Sequence, residues 1–237
     1  LDQAIPSNPG ILYFMGTGHS IAGNKQKAIQ IYERVIRLNP QFIEAYNNLA
    51  LDLAYLGEHQ RALSYFDTAI NIRPDFEEAL LNKGCSLNEL GAAKEALVCF
   101  EEILNKIPNH PAALANATIS HIKLADYEKA KQLAHHALSI NQLDCMAYQN
   151  LGDISLKEEQ PDVALNYFNS ALKINPNNLD ALSGAGSAYL ELGDYSTALS
   201  NFDRVLHINS DHAQTYNNLG LLHHEIRDFG KAISFYS

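Results

Sequence analysis

The side chains best placed to act chemically are asparagines that return at a fixed interval. Asn48, Asn82, Asn116 and Asn150 lie 34 residues apart, and Asn218 falls on the same series two steps later. Gly184 occupies the slot between, and Phe14 the slot before. A carboxamide presents a donor and an acceptor side by side. A row of them can therefore pair with the C=O and N–H of an extended peptide without reading its sequence. The same spacing also suits a solvated residue, or one that bonds a neighbouring unit and stiffens the array. Lys123 and Lys157 share a second series with Glu89, Glu191 and Glu225, and Glu44, Glu78 and Asp180 share a third. These describe a mostly acidic surface with a basic middle, suited to a ligand of mixed charge.

Catalytic arrangements are weaker. Gly18 to Lys25 has the glycines of a phosphate loop, but lysine should directly follow the second glycine, Gly23, and no strand precedes it. His135-His136 and His223-His224 are adjacent pairs pointing about 100° apart on a helix, not the i, i+4 pair of a zinc site. Cys85, Cys99 and Cys145 are odd in number without a CxxC spacing, and are expected to be mostly buried thiols. No catalytic residue, metal site or cofactor is expected, and the chain by itself is expected to be no enzyme.

The elements that position the asparagines are also periodic. Ala45–Ala50 and Thr215–Gly220 are nearly the same hexapeptide, 170 residues apart, and a period of this size signals stacked repeats. Tyr46, Leu49, Ala50 and Leu53 mark one face of a helix that Gly57 breaks. Ala62, Leu63, Phe66, Ala69 and Ile70 mark a second helix ending before Pro74. Asn24, Asp126, Asp194 and Asp228 stand where a side-chain oxygen can cap the second helix, and Pro161 stands at its first position. The expected organisation is an end of a preceding repeat at 1–8, full repeats at 9–42, 43–76, 77–110, 111–144, 145–178 and 179–212, and a partial repeat at 213–237. Repeat 4 lacks the turn glycine (Ala125) and the large aromatic (Ala134), so its seam is expected to be looser or repacked.

The pattern resembles the tetratricopeptide repeat (TPR). Repeat 6 carries it as Leu182, Ala185-Gly186, Tyr189, Gly193, Ala198 and Phe202, and repeat 3 as Leu80, Gly84, Leu87, Gly91, Ala96, Phe100 and Pro108. The resemblance implies an all-α, right-handed superhelix, a TPR solenoid, whose concave side is lined by first helices. It makes Asn48, Asn82, Asn116, Asn150, Asn218, Lys123 and Lys157 the expected peptide-binding residues. The asparagine series is similar to that of the repeat domain of O-linked N-acetylglucosamine transferases, which implies a hold on a substrate backbone. The carboxylate clamp of chaperone-binding repeats is absent.

The formal charge of −10 and pI near 5.4 argue against nucleic acid, which calls for a basic face. No apolar run reaches the ~18 residues of a membrane span. The expectation is a cytoplasmic, protein-binding module, with any targeting segment missing from this stretch. Alternatives are the substrate-recruiting arm of a larger, glycosyltransferase-like enzyme, and a scaffold that forms homo-oligomers through uncapped ends.

Overall fold

The structure, a computed structural model, describes residues 8–236. Residues 1–7 of the expected preceding repeat lie outside the described residues, as does Ser237. Among the described residues there are fourteen α-helices and no strand. The chain divides into two compact units, one up to Leu124 and one from Ala125.

The first unit contains α1 (Pro9–Ile21), α2 (Lys25–Leu38), α3 (Ile43–Tyr55), α4 (His59–Ile72), α5 (Glu77–Glu89), α6 (Ala93–Lys106) and α7 (Pro111–Lys123). The second contains α8 (Tyr127–Ile140), α9 (Cys145–Lys157), α10 (Pro161–Ile174), α11 (Leu179–Glu191), α12 (Tyr195–Ile208), α13 (Ala213–Glu225) and α14 (Phe229–Tyr236). Odd-numbered helices are first helices of a pair, and even-numbered ones are second helices.

The turn between the two helices of a pair needs one left-handed residue. Gly23, Gly57, Gly91 and Gly193 take φ between 77° and 80° there, at no steric cost. Ala125, Glu159 and Arg227 hold the same conformation with φ of 58°, 58° and 63°. Each non-glycine residue costs roughly 1 kcal/mol in this region. At Glu159 and Arg227 the packing of α9 on α10 and of α13 on α14 therefore imposes the turn even where the residue disfavours it. Asp126, Asp194 and Asp228 cap α8, α12 and α14 through bonds from Lys129, Thr197 and Lys231. Asn24 does not: its side chain makes no cap bond to α2, which corrects the sequence expectation.

Five second helices, α2, α4, α6, α10 and α12, each bury one aromatic completely. Tyr32, Phe66, Phe100, Phe168 and Phe202 are fully buried. A Cβ on Gly84 would stand 2.5 Å from the Phe100 ring, and one on Gly152 2.6 Å from Phe168. Real contacts do not reach such distances, so only glycine permits this approach. Phe168 also reaches the following first helix, where a Cβ on Gly184 would stand 2.4 Å away. With the ring in that place the series position at Gly184 has no room for a side chain. Of the cysteines, only Cys99 is fully buried; Cys85 and Cys145 are half-buried.

Candidate functional site

Within each unit successive first helices touch: α1 with α3, α3 with α5, α5 with α7, and likewise α9 with α11 and α11 with α13. Among the described residues no two second helices within a unit come as close. Helix pairs thus splay on the second-helix side, and the first-helix side is the inner face of each unit. The asparagine series lies on these first helices.

In the first unit the three series asparagines are half-buried, and two of them bond the preceding first helix. Asn48 on α3 donates to Tyr13 Oη on α1 at 3.0 Å, and Asn82 on α5 donates to Asn47 Oδ1 on α3 at 3.2 Å. Asn47 in turn donates to Glu78 at 3.1 Å. The bonds of Asn48 and Asn82 each join a repeat's sixth position to the fifth position of the repeat before, 35 residues earlier. The residue 35 before Asn116 is Leu81, which has no acceptor, and Asn116 bonds its own helix at the Ala112 carbonyl, 2.9 Å away. Lys123 is not a free cation either, because its ammonium donates to the Asn88 carbonyl. Ser20 and Lys25 converge on the buried Asp52 at 2.6 and 2.9 Å. Lys25 also lies 4.9 Å from the centre of the Tyr55 ring. Beside this network Phe14, Ile21 and Tyr55 stand more than 70% exposed on first helices.

The second unit differs. Asn218 on α13 donates to Ser183 and Ser187 on α11 at 3.2 and 3.1 Å. Asn150 on α9 is only 3% exposed, and its Nδ2 has no hydrogen-bond partner among the described residues. Burial, then the negative charge of Asp180, push the half-buried Asp153 carboxyl up to about 7, against the opposing pull of Lys157. Burial and Glu159 raise Glu191, again against Lys157. Lys157 itself is exposed.

Sequence reasoning missed the fifth position as the acceptor for these amides. The signal was present: Tyr13, Asn47 and Ser183 are polar, each 35 residues before a series asparagine. Cys85 faces a chemical test and fails it as a nucleophile, since burial and Glu89 push its thiol up to about 11. Among the described residues no group of three or more His, Cys, Asp or Glu side chains is placed to hold a metal ion. None of their helices is long and apolar enough to cross a membrane. Two open depressions of about 620 and 590 Å³ lie on the second-helix side of the second unit and share Arg204.

Three family patterns match the sequence. "Psidin, N-terminal TPR repeats region" matches residues 21–142, just over half the chain, and "Tetratricopeptide repeat" patterns match 155–219 and 213–237. The chain belongs to the tetratricopeptide-repeat family. Among solved structures it is similar to a TPR protein from Parabacteroides merdae, with TM-score 0.82 and 20% identity over 96% of this chain and 90% of that one. It is also similar to PilW, a type IV pilus biogenesis factor, with TM-score 0.74 and 20% identity over 87% and 96%. A third likeness is to the APC/C hetero-tetramer Cut9-Hcn1, with TM-score 0.76 and 19% identity. It spans 92% of this chain and 43% of that one. At these identities the likeness shows the fold, an all-α TPR solenoid. Among curated proteins none matches the sequence.

Proposed function

We propose that the first-helix face of this TPR chain binds an extended polypeptide segment, its backbone held by asparagines of the 34-residue series. The carrying observation is the bonding of Asn48, Asn82 and Asn218 to the preceding first helix. Asn82 uses one N–H there, which fixes the orientation of the group, whereas Asn218 uses both, on Ser183 and Ser187. The second N–H of Asn82 remains for a peptide C=O, and its Oδ1 for a peptide N–H. Lys123 and Lys157 were grouped by sequence as cations of this face; Lys123 acts through its bond to Asn88, and Lys157 remains exposed.

A net hydrogen bond contributes ~1 kcal/mol, so affinity depends on several rungs and should be micromolar. The test begins with peptides selected from a displayed dodecamer library on immobilised protein. Replacing Asn82, Asn150 and Asn218 together by alanine should weaken the selected peptides more than tenfold in a titration, with helical content unchanged by circular dichroism. Unaltered affinity would remove the proposal.

A second reading, self-association, has its own observation. Phe229, Ile233 and Tyr236 on α14 are each more than half exposed. Light scattering across a concentration series should show a rising mass if that surface joins copies.

A further inference from the structure

We infer that the first-helix face of the first unit selects its polypeptide by side chain: a bulky apolar residue seats among Phe14, Ile21 and Tyr55, and a basic residue a few positions away meets Glu89. This rests on the peptide reading above and adds the chemistry of the ligand. Phe14 and Ile21 stand seven residues apart on α1, as Asn48 and Tyr55 do on α3 and Asn82 and Glu89 on α5. Residues at i and i+7 share one helix face. The three helices touch in that order. The surface therefore runs from apolar on α1, through mixed on α3, to polar and acidic on α5.

Phe14, Ile21 and Tyr55 are 73%, 83% and 75% exposed. Single exposed apolar residues are ordinary, whereas large ones gathered on two adjacent helices mark a surface that meets a partner. Polar contacts tie α1 to α3 beside them. Asn48 donates to Tyr13 Oη at 3.0 Å, and the Tyr13 ring meets Phe14 edge-on with centroids 5.6 Å apart. Two turns on, Ser20, next to Ile21, donates to Asp52 at 2.6 Å. Lys25 pairs with the same carboxylate at 2.9 Å and lies 4.9 Å from the centre of the Tyr55 ring. Rings backed in this way lose little freedom when a ligand covers them. Asp52 offsets the Lys25 charge, and α5 carries the opposite sign. Glu89 is exposed and has no ion-pair partner among the described residues, while the Lys123 ammonium bonds the Asn88 carbonyl. A basic ligand residue complements that charge. Asn82, on the same stripe as Glu89, spends one N–H on Asn47 and keeps the other for the ligand main chain. Packed helices lie about 8–10 Å apart, and an extended chain advances ~3.3 Å per residue. The apolar and basic residues should therefore stand about four positions apart.

The test uses three fluorescein-labelled dodecapeptides of alternating alanine and serine. The first carries phenylalanine at its sixth position and lysine at its second and tenth. In the second, serine replaces the phenylalanine; in the third, glutamate replaces both lysines. Anisotropy titrations are run on the intact chain and on F14A, Y55A, E89Q and V98A, each checked for helical content by circular dichroism. The last shortens an exposed apolar side chain on α6, a second helix. The first peptide should bind about tenfold tighter than the second, the scale of covering one large apolar side chain. It should bind about threefold tighter than the third, as a surface ion pair allows. F14A and Y55A should each remove most of the phenylalanine margin, E89Q the lysine margin, and V98A neither. Equal binding of the first peptide and either of the others, binding by none of the three, or an equal loss in V98A overturns the inference. The peptide reading stands in those cases if library-selected peptides still bind, and falls if they do not. A mass that rises with concentration in light scattering, but not in Y55A, makes the occupant a second copy and also overturns the inference.

Discussion

Two aspartates on first helices meet opposite surroundings. Asp52 in the first unit is 2% exposed and is held by Lys25 at 2.9 Å and Ser20 at 2.6 Å. Asp153 in the second unit is half-buried and faces Asp180, with only Lys157 to offset it. The same contrast holds for the amides. Asn48 and Asn82 are bonded to the preceding helix, whereas Asn150 is buried with an unpartnered Nδ2. One repeat architecture therefore supports two kinds of inner face. The first unit uses its polar groups to join neighbouring helices and exposes Phe14, Ile21 and Tyr55. The second sets Asp180 against the half-buried Asp153 and leaves the Asn150 Nδ2 unpartnered, whereas the unpartnered buried atoms of the first include Asp52 Oδ2 and His59 Nδ1.

The largest expected effect sharpens the packing side of this comparison. Phe100→Ala and Phe168→Ala each remove a fully buried ring, at a cost of roughly 3–5 kcal/mol. Phe168 lies against both Gly152 and Gly184, whereas Phe100 lies against Gly84 alone of the glycines. Phe168→Ala should give the lower denaturation midpoint in urea. Equal midpoints would mean that the close approach at Gly184 adds nothing.

A smaller effect tests the electrostatic side, with opposite signs in the two units. Asp52→Asn breaks a buried ion pair and should destabilise the protein by ~1–3 kcal/mol at neutral pH. Asp153→Asn should stabilise it. In the unfolded chain this carboxyl loses its proton near pH ~4, and in the folded chain at about 7. Between those values the native state holds more protons, so stability falls as pH rises through that window and stays low above it. The asparagine variant escapes this loss, with a gain of at least ~1 kcal/mol at pH 8 that vanishes near pH 4. Thermal unfolding followed at pH 4, 6 and 8 checks it. A gain independent of pH would contradict the assignment to Asp153.

The helical repeat was legible because its punctuation is chemical: Gly57 ends one helix, Pro74 follows the next, and Pro161 opens another. The turn at Glu159 and Arg227 was less so, since neither residue prefers positive φ and the packed helices impose it. The asparagine series was visible from spacing alone. How its members are used was not, because it depends on whether the preceding unit offers an acceptor. Tyr13, Asn47 and Ser183 do, and Leu81 does not. The raised Asp153 was invisible in the sequence, where it is one acidic residue among 27. Only the packing of α9 beside α11 brings the Asp180 charge to bear on it.

The most direct measurement follows the side-chain amide resonances of the ¹⁵N-labelled protein while a dodecapeptide selected on the immobilised protein is added. The account predicts that the Asn48 and Asn82 amides shift together, saturating with one affinity. Shifts confined to the second helices around Lys173, Arg204 and His207, with the first-helix amides unmoved, would contradict it.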